Sequence, residues 1–575
     1  MKINRKKDTR RWLNKYKDGV RPNLEYPDTS IIDAVISVAK KYPEYNAYEY
    51  FGKKVTYRQF IDQIKIIAKC LKNYGVEKDD IVTICMPTTP EAICSVYAIN
   101  IIGAVSNMVH PLSSENEIEE CINQTNSKIL LTLDLTLEKI LNIKQKTKLQ
   151  KIIVSSPDSS LPPLKHYLYK ITNYKKKVKI PKDDEDIVLW NKFISSAPNF
   201  IGEYYEHKKG SDLATILYSG GTTGTPKGIM LSNLNINALA LQAHEMIEQT
   251  IPGNSVLSVL PIFHGFGLVV SIHTPLLCGM KCILLPKFNA KKFGDIIKKT
   301  RPNFLVGVPT LYEALLKQKL KKNDLKCVEA VISGGDVLSP ELKKKVDNYL
   351  KEHGSIATIR PGYGLTEATA ATCLTNENEY NEEGCIGIPF PDTYFKIVKL
   401  DTHEEAEIGE DGEICINSPT IMIGYLNNDE ETNNTLRYHD DKKLWLHTGD
   451  VGCMLEDGTI IFKQRVKRII VSSGYNIYPS YIENIINSHE DVLTSTVIGI
   501  PHPYKGQVAK AYIVLKDGIN ESGKIKKEIQ ELCKKNISKY ALPTEYEFRK
   551  QLPTTAVGKI AIKELEKENN IKDTK

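Results

Sequence analysis

Apolar residues in the first part of the chain follow two alternating periods. Residues 56–74 have a helical period that stops at Gly75, and four apolar side chains share one face: Phe60, Ile64, Ile67 and Leu71. Residues 81–85 follow as a short, uninterrupted apolar run, which predicts a buried strand. This alternation of helix and strand indicates an α/β fold.

The same rhythm returns in the middle of the chain. The predicted elements are a strand over 304–308, a helix over 310–317, a strand over 328–332, and a helix capped by Ser339 with Pro340 in its first turn. Strands that alternate with helices in this way predict a parallel sheet covered by helices.

Two later stretches have different patterns. Residues 144–210 contain lysine and acidic runs and several prolines without a clear period, so we expect a surface-exposed connection there. Residues 384–462 change to short strands and turns, which predicts a β-rich subdomain. The hairpin signals within it are Asp411-Gly412 and Asp457-Gly458.

Beyond Lys467 the chain starts again as strand, loop, helix (481–488) and strand, which suits a small α+β domain. We therefore predict an N-terminal domain over residues 1–464 and a C-terminal domain over residues 465–575. The length of 575 residues agrees with a chain of more than one domain.

Composition limits the class of protein. Hydrophobic residues make up 41% and charged residues 26% of the chain, as in folded water-soluble proteins. The 12 cysteines show no metal-binding spacing, and we expect them to be reduced and structural. The most apolar stretch, residues 257–277, is interrupted by proline, histidine and glycine, so we expect no membrane-spanning helix. We expect a cytoplasmic protein.

The net charge of +7 is concentrated at one end, because nine Lys and Arg lie between Lys2 and Arg21. A solvated basic end is one interpretation, and weak peripheral contact with an anionic membrane surface is the other. Nothing in the sequence resembles a nucleic-acid-binding module, and no obligate protein partner is indicated.

A loop rich in glycine and threonine follows a predicted strand at residues 216–228, Ile-Leu-Tyr-Ser-Gly-Gly-Thr-Thr-Gly-Thr-Pro-Lys-Gly. Backbone N–H groups, hydroxyls and a lysine predict a phosphate cradle, although Pro226 before Lys227 rules out a Walker loop. The candidate nucleotide-binding residues are Ser219, Gly220, Gly221, Thr222, Thr223, Gly224 and Lys227.

This loop resembles the signature of the adenylate-forming superfamily, which includes acyl-CoA synthetases, coumarate-CoA ligases, firefly luciferase and adenylation domains. Other motifs of the superfamily follow in the same order, so the resemblance extends from roughly residue 25 to residue 565. It implies that the loop handles the β- and γ-phosphates of ATP. It also implies a large N-terminal domain of two helix-wrapped sheets plus a β-rich subdomain, followed by a small, mobile α+β C-terminal domain.

Two motifs resemble the superfamily's acyl and adenine sites. Residues 260–267, Leu-Pro-Ile-Phe-His-Gly-Phe-Gly, are similar to the carboxylate-pocket motif, so the resemblance implies that His264 lines the acyl site. A histidine among apolar residues is otherwise more often a core residue. Residues 333–336 follow a strand end, where open α/β sheets bind ligands. The adenine border implied there consists of Gly334, Gly335 and Asp336.

Residues 362–367, Gly-Tyr-Gly-Leu-Thr-Glu, resemble the motif for adenine stacking and metal binding. The resemblance implies an adenine contact for Gly362 and Tyr363, a hydroxyl at the α-phosphate for Thr366, and a hard oxygen ligand of Mg²⁺ for Glu367. Pro361 stands where the superfamily more often has Glu or Gln, so we assign it no role.

His447-Thr448-Gly449-Asp450 resembles the superfamily's Thr-Gly-Asp motif, whose carboxylate can accept both ribose hydroxyls. An isolated Thr-Gly-Asp is usually a turn. In the superfamily an arginine also faces the ribose, and Arg465 stands at that position here. The resemblance therefore implies that Asp450 and Arg465 contact the nucleotide.

Residues 462–468 resemble the interdomain hinge of the superfamily, with Lys467 at the pivot. Two positions depart from the pattern: Gln464 replaces the usual Asp, and Arg468 replaces the usual acidic residue. Both departures could shift the balance between domain orientations. Ser473-Gly474-Tyr475-Asn476 resembles the loop that lines the pantetheine tunnel after the small domain rotates, which implies a coenzyme A contact for Ser473 and Gly474.

Residues 552–560, Leu-Pro-Thr-Thr-Ala-Val-Gly-Lys-Ile, match the superfamily's terminal lysine loop. The resemblance implies that Lys559 acts on the phosphates during adenylation and withdraws before thioester formation. A lysine near a chain end is otherwise a solvated charge. The catalytic residues expected from the resemblance are Lys559, Thr366, Glu367 and His264.

The resemblance implies an AMP-forming acyl-CoA ligase that uses ATP, Mg²⁺ and coenzyme A with a carboxylic acid substrate. Residues 12–60 and 306–312 resemble long-chain fatty acid CoA ligases, which favours a medium or long fatty acid. Aryl-acid ligases of the coumarate type and ligases directed at a carrier protein stay open as alternatives. A non-catalytic nucleotide-binding protein and a luciferase-like oxygenase are further alternatives.

Overall fold

The chain forms two compact units in the computed structural model. The residues it describes are 10–172, 184–219, 226–377, 384–400, 402, 404–472, 475–537, 541–554 and 560–570. The first unit comprises Met1–Phe395, Ile416–His447 and Glu456–Thr459, and the second comprises Lys396–Cys415, Thr448–Leu455 and Ile460–Lys575. The second unit thus takes in two segments that precede residue 464, while the domain boundary at 464–465 stays a prediction.

The α-helices are distributed over both units. In chain order they are α1 (Ile31–Lys41), α2 (Tyr57–Asn73), α3 (Pro90–Ile101), α4 (Glu115–Thr125), α5 (Leu137–Ile143), α6 (Pro163–Thr172), α7 (Trp190–Ser195), α8 (Asn233–Met246), α9 (Thr274–Leu277), α10 (Phe293–Thr300), α11 (Pro309–Leu316), α12 (Pro340–Glu352), α13 (Asp429–Thr435), α14 (Pro479–Asn487), α15 (Gly523–Asn536) and α16 (Ile562–Asn570).

The strands are mostly short. In chain order they are β1 (Asn46–Tyr50), β2 (Lys53–Thr56), β3 (Ile81–Cys85), β4 (Val105–Met108), β5 (Ile129–Leu133), β6 (Lys151–Ser155), β7 (Ile187–Leu189), β8 (Leu213–Ser219), β9 (Lys227–Ser232), β10 (Ser255–Ser258), β11 (Lys281–Leu284), β12 (Phe304–Gly307), β13 (Ala330–Ser333), β14 (Ile359–Tyr363), β15 (Cys373–Leu374), β16 (Cys385–Pro389), β17 (Tyr394–Val398), β18 (Gly412–Asn417), β19 (Gly424–Tyr425), β20 (Leu436–Tyr438), β21 (Leu444–Met454), β22 (Ile460–Arg465), β23 (Ile470–Ser472), β24 (Tyr475–Ile477), β25 (Val492–His502), β26 (Gly506–Leu515) and β27 (Glu545–Phe548).

The first unit contains two helix-covered sheets, as the α/β pattern predicts. One sheet has the order β19-β9-β8-β4-β3-β5-β6-β7, with parallel pairing from β8 to β7. The other runs β16-β15-β14-β13-β12-β10-β11-β1-β2 and is parallel from β14 to β1. The α/β fold class is confirmed, and the loops predicted to bind the nucleotide follow strand ends, where such sheets usually bind ligands.

The second unit is built differently. Strands β17, β18, β21 and β22 neighbour each other in that order, and β21 pairs antiparallel with β22. A separate sheet of β24-β23-β26-β25, with β27 beside β26, carries α14 and α15 around one apolar core. The β-rich stretch and the α+β character of the C-terminal residues are confirmed.

Several predicted elements form with their predicted ends. Helix α2 begins after Thr56, whose side chain accepts from the Gln59 backbone N–H while Gln59 bonds back to Thr56, a capping box. Strand β3 spans the predicted residues 81–85. Helix α12 begins at Pro340, and the Ser339 side chain accepts from the Leu342 N–H at 3.2 Å.

The expectation of an irregular connection over residues 144–210 is wrong in part. Strand β6 lies in that range, pairs with both β5 and β7, and is buried in four of its five residues. Strand β7 and helix α7 follow it. Residues 173–183, which hold the lysine run, lie outside the described part of the chain.

The apolar stretch 257–277 does not form one long helix. It continues β10, then forms a π-helix over Phe266–His273 and the short helix α9. Among the described residues no helix combines the length and the apolarity needed to cross a membrane.

Four basic residues of the N-terminal segment bond to other parts of the first unit. Lys17 contacts Glu377 at 2.8 Å, and Arg21 contacts Glu245 at 2.7 Å. Two further basic residues, Arg10 and Lys15, bond to Asn23 and Asp457. The interpretation as a solvated basic end is therefore wrong for the buried Arg10, whereas the Arg21 side chain is 68% exposed. These contacts give membrane binding no support. Residues 1–9 lie outside the described part.

Candidate functional site

The glycine-rich loop is carried by a hairpin in the first unit. Ser219 ends β8 and stands directly opposite Lys227, which begins β9. The Gln124 side chain donates to the Pro226 carbonyl at 3.1 Å, so the return of the loop is held from α4. The predicted residues Gly220, Gly221, Thr222, Thr223 and Gly224 lie outside the described residues.

Lys227 has a defined environment at the base of this loop. Its ammonium group forms an ion pair with Glu431 and lies over the ring of Tyr425, 5.3 Å from the centroid. The lysine side chain is 18% exposed, so both contacts are made with little screening by water. The lysine predicted for the cradle therefore has two fixed partners.

Local folding explains why those partners lie there. Strand β19 pairs antiparallel with β9 and places Tyr425 opposite Ile229. The chain then enters α13, whose N-cap Asn428 accepts from the Glu431 N–H at 3.0 Å. Acidic residues in a first helical turn are stabilised by the helix dipole. This cap fixes the turn that carries Glu431.

Glu367 lies in a short 3₁₀ turn, Thr366–Ala368, beside β8. Its Oε1 accepts a hydrogen bond from the Tyr425 hydroxyl at 3.0 Å, and its carbonyl accepts from the Met422 N–H at 2.8 Å. Burial, together with the adjacent Glu367 carboxylate, raises the pKa of Tyr425 well above its usual value. Tyr425 therefore stays protonated and acts as the donor.

Two loops of the predicted site touch at glycines. A Cβ on Gly265 would lie 2.0 Å from the Thr369 carbonyl oxygen, and one on Gly364 would lie 1.8 Å from the Ala370 carbonyl oxygen. Real Cβ atoms do not approach oxygen so closely. Thr369 itself has φ of 70° and bonds through Oγ1 to the Thr420 carbonyl at 2.6 Å. The acyl-site motif and the Glu367 loop are thus packed against each other.

His264 is half-buried in a cluster of rings. Its ring lies 4.9 Å from that of Phe263 and 6.1 Å from that of His110. His110 is held by the Leu112 N–H, which donates to Nδ1 at 2.9 Å, and burial lowers its pKa below the usual value. The imidazole rings of His264 and His110 are therefore neighbours, and burial favours the neutral form of His110.

The Ser-Gly-Gly-Asp segment begins at Ser333, the last residue of β13. Gly334 donates to the Gly307 carbonyl at 3.0 Å, and the Phe266 ring would lie 3.1 Å from a Cβ at this position. Asp336 is exposed, and its Oδ1 accepts from the Val337 N–H at 2.9 Å. Gly335 adopts φ of 78°, the region that favours glycine. The Cζ and Cε1 atoms of the Phe266 ring thus lie close to the backbone at Gly334.

Gly362 and Tyr363 end β14, opposite Leu374 and Cys373 of β15. Strand β14 therefore continues beyond its parallel pairing with β13. Thr366 follows three residues after the end of the strand. Tyr363 is half-buried at the strand end. Within the first unit, the 333–336 and 362–367 segments therefore follow the adjacent strands β13 and β14, and the 260–267 segment packs against the loop after β14. Lys227, from the other sheet, is linked to Glu367 through Tyr425.

Asp450 and Arg465 lie in the second unit and face each other across β21 and β22. Arg465 Nε is 3.3 Å from Asp450 Oδ1; the aspartate side chain is 4% exposed and the arginine side chain 64% exposed. Thr448 Oγ1 accepts from the Asp450 N–H at 3.1 Å within β21. The predicted ribose residues are therefore brought together.

The predicted hinge follows β22 as a 3₁₀ turn over Val466–Arg468. Gln464 is 1% exposed, and within the described residues neither of its carboxamide atoms has a hydrogen-bond partner. Arg468 donates to Glu483 at 2.5 Å. Of Lys467 only the backbone is described, and Ser473, Gly474 and Lys559 lie outside the described residues.

Sequence reasoning missed Tyr425, Glu431 and His110. Only Glu431 had a local signal, since Asn428 followed by three acidic residues is typical of a helix start. Nothing local linked any of these residues to the glycine-rich loop or to His264, because the contacts join segments that are far apart in the chain.

Comparison with known proteins finds relatives that match nearly the whole chain. The chain is 33% identical over 554 residues to a long-chain-fatty-acid–CoA ligase of Bacillus subtilis, which covers 96% of each chain. It is 29% identical over 468 residues to luciferin 4-monooxygenase of Photinus pyralis, covering 81% of this chain and 80% of that one.

Solved structures share the fold. ATP-bound MatB from Rhodopseudomonas palustris superposes with a TM-score of 0.79 at 23% identity, covering 93% of this chain and 98% of that one. A long-chain-fatty-acid–CoA ligase from Archaeoglobus fulgidus gives a TM-score of 0.68 at 23% identity, covering 93% and 99%. The AMP-binding enzyme family matches residues 36–426, and its C-terminal domain matches residues 481–559. The chain belongs to the AMP-binding enzyme family.

Proposed function

We propose that this protein activates a medium- or long-chain fatty acid with ATP and transfers the acyl group to coenzyme A. One observation carries the proposal: the Glu367 carboxylate and the Lys227 ammonium are both held by Tyr425, next to the glycine-rich loop. A carboxylate suited to a hard metal ion, next to a cation and a loop of N–H donors, is what a triphosphate site requires.

In the first half-reaction a carboxylate oxygen of the acid bonds to the α-phosphorus of ATP. The bond from that phosphorus to the bridging oxygen breaks, and pyrophosphate leaves. Both reactants are anions, so catalysis depends on neutralising charge and on positioning. We assign the phosphates to Lys227, the 219–224 loop, Thr366 and Lys559, and the ribose to Asp450 and Arg465.

In the second half-reaction the sulfur of coenzyme A bonds to the acyl carbonyl carbon, and the bond to the AMP oxygen breaks. The thiol proton leaves with AMP or to water. Lys559 must withdraw to admit the pantetheine arm, which we assign to Ser473 and Gly474. We assign the change to rotation about Lys467, a hinge-type switch.

The residues present fit a magnesium ion. Glu367 offers carboxylate oxygens, and Mg²⁺ usually takes one or two carboxylates together with substrate phosphates. When bound, this ion neutralises phosphate charge and orients the triphosphate. Tyr425 fixes the direction of the carboxylate through its bond to Oε1.

Substrate class rests on the relatives. The Bacillus subtilis protein is named a long-chain-fatty-acid–CoA ligase, and its alignment at 33% identity covers 96% of this chain. An aryl-acid ligase, a carrier-protein ligase, a luciferase-like oxygenase and a non-catalytic nucleotide-binding protein are the alternatives. The first two differ from the proposal only in acid or acceptor, so assays can separate them.

The test is acid-dependent release of AMP from a panel of fatty, cinnamic and benzoic acids, with coenzyme A or a carrier protein as acceptor. We expect the highest kcat/KM for a fatty acid with coenzyme A. An aryl acid that exceeds it tenfold, about 1.4 kcal/mol of transition-state preference, would overturn the substrate assignment. A Glu367→Gln variant controls for contaminating activity.

A further inference from the structure

Tyr425 contacts both charged groups that the proposed function assigns to the triphosphate. Its hydroxyl donates to Glu367 Oε1 at 3.0 Å, while its ring receives the Lys227 ammonium 5.3 Å from the centroid. Glu367 and Lys227 are separated by 140 residues of sequence, and Tyr425 is separated from Glu367 by 58. One side chain therefore links two loops of the site.

We propose that Tyr425 is a positioning residue that keeps the metal-binding carboxylate and the phosphate-binding lysine apart and correctly directed. The inference rests on the proposed function. A lysine and a glutamate close together in a half-buried site attract each other strongly. If they paired, each would be withdrawn from the triphosphate. Tyr425 prevents this by giving the carboxylate a neutral donor and the ammonium a ring face.

Glu431 completes the arrangement by supplying Lys227 with a separate counter-ion. The lysine is therefore neutralised before ATP arrives without drawing on Glu367. When the phosphates enter, Lys227 can exchange Glu431 for an anion on the ligand while its contact with the ring persists. The carboxylate keeps its hydrogen bond throughout, so its orientation does not depend on the lysine.

The position of Tyr425 is itself fixed by the backbone. Its N–H donates to Thr432 Oγ1 at 2.9 Å, and β19 pairs with β9 two residues beyond Lys227. A side chain on this short strand has little freedom to move. Removing only the hydroxyl should therefore leave the fold and the ring contact in place.

The experiment compares Tyr425→Phe with the wild type by calorimetric titration of ATP, once with excess Mg²⁺ and once with EDTA. We expect MgATP to bind about tenfold more weakly to the variant, as for the loss of a hydrogen bond to a charged group, and metal-free ATP to bind unchanged. The Mg²⁺ dependence of pyrophosphate exchange should shift in the same direction, with the KM for the acid unchanged.

A second variant tests the ring. Tyr425→Leu should weaken the binding of metal-free ATP as well as that of MgATP, because Lys227 loses its ring contact and can pair with Glu367. Tyr438→Phe is the matched control, since Tyr438 is 71% exposed, and it should behave as the wild type. Melting curves confirm that the variants are folded.

The inference is overturned if Tyr425→Phe binds MgATP as tightly as the wild type does. It is also overturned if the affinities of this variant for MgATP and for metal-free ATP fall equally. It is also overturned if Tyr425→Leu matches Tyr425→Phe. Failure of the proposed function looks different, because the wild type itself would then show no acid-dependent pyrophosphate exchange.

Discussion

Arg468 donates a hydrogen bond from Nη2 to Glu483 Oε1 at 2.5 Å, and this bond anchors the residue that follows the predicted hinge. The same carboxylate oxygen accepts from Thr496 Oγ1 at 3.0 Å and from the Val497 N–H at 2.7 Å. The departure from the usual acidic residue at position 468 therefore creates a specific link between the end of the hinge turn and helix α14, which carries Glu483.

We expect Arg468→Gln to slow thioester formation relative to pyrophosphate exchange. The bond between Arg468 and Glu483 should transmit rotation at Lys467 to the sheet that contains β25. Altering such a coupling typically costs about 0.5–2 kcal/mol, which corresponds to thioester formation that is about 2- to 30-fold slower. Both half-reactions would be measured separately, with acyl-AMP supplied for the second.

Arg549→Gln is the matched control, because Arg549 bonds to Glu547 and Glu568 in the same unit, in segments away from the hinge turn. It should lower the melting temperature without changing the ratio of the half-reactions. An unchanged ratio in Arg468→Gln would show that the link has no part in the rotation.

A second prediction concerns the ribose residue Asp450. Its backbone N–H donates to Thr448 Oγ1 within β21, and its carboxylate faces Arg465, which is largely exposed. Asp450→Asn should raise the KM for ATP about 10- to 150-fold, because a hydrogen bond to a charged group contributes roughly 1.5–3 kcal/mol. Asp440→Asn, at an exposed position, should leave the KM unchanged. Normal ATP dependence in Asp450→Asn would remove this residue from the site.

The sequence was most informative where structure is determined locally. Helix α2 was predictable because its period, its Thr56 cap and its end at Gly75 all lie within twenty residues. Strand β6 was missed because its apolar run covers only residues 152–154, and pairing with β5 and β7 decides its conformation. Strand β13 begins two residues later than predicted, since Ala330 is the residue that pairs with Phe304.

The site follows the same rule. Ordered motifs identified the strand-end loops, because their glycines and carboxylates are contiguous in sequence. Tyr425 and Glu431 were not predicted, because they approach Lys227 through the pairing of β19 with β9 about 200 residues apart in the chain. Contacts of that kind depend on topology, which no local pattern encodes.

A third prediction concerns acid stability and His273. This fully buried imidazole lies between the Tyr97 hydroxyl at 3.1 Å and Asn237 Oδ1 at 2.9 Å, and burial lowers its pKa to about 3. The unfolded chain binds the proton near pH 6.5 and the folded chain only near pH 3. The stabilisation is therefore complete above about pH 6.5 and is lost as the pH falls towards 3.

As the pH falls through that window, we expect His273 to lower the free energy of unfolding by about 1.4 kcal/mol per pH unit. His273→Gln keeps a polar side chain and cannot titrate, so its unfolding free energy should fall less steeply with acidification. Denaturant unfolding at pH 7, 6, 5 and 4 measures both slopes. Equal slopes would show that His273 does not control acid stability.

The last prediction separates the two half-reactions through the two lysines of the proposed domain alternation. If Lys559 serves only the adenylating orientation, Lys559→Ala should nearly abolish acid-dependent exchange of pyrophosphate into ATP. The same variant should still convert supplied acyl-AMP and coenzyme A to thioester. The loss should be about a hundredfold or more, as for the removal of one charge-stabilising contact.

Lys467→Pro should have the opposite effect, because proline fixes φ and stiffens the residue whose backbone angles must change. Lys467 is the middle residue of the 3₁₀ turn Val466–Arg468, where the φ of proline is tolerated, so the variant should fold. Melting curves accompany both assays, since a misfolded variant would lose both half-reactions together. If both variants are stable and Lys559→Ala retains pyrophosphate exchange, then Lys559 has no role in adenylation, and rotation about Lys467 is not needed to withdraw it.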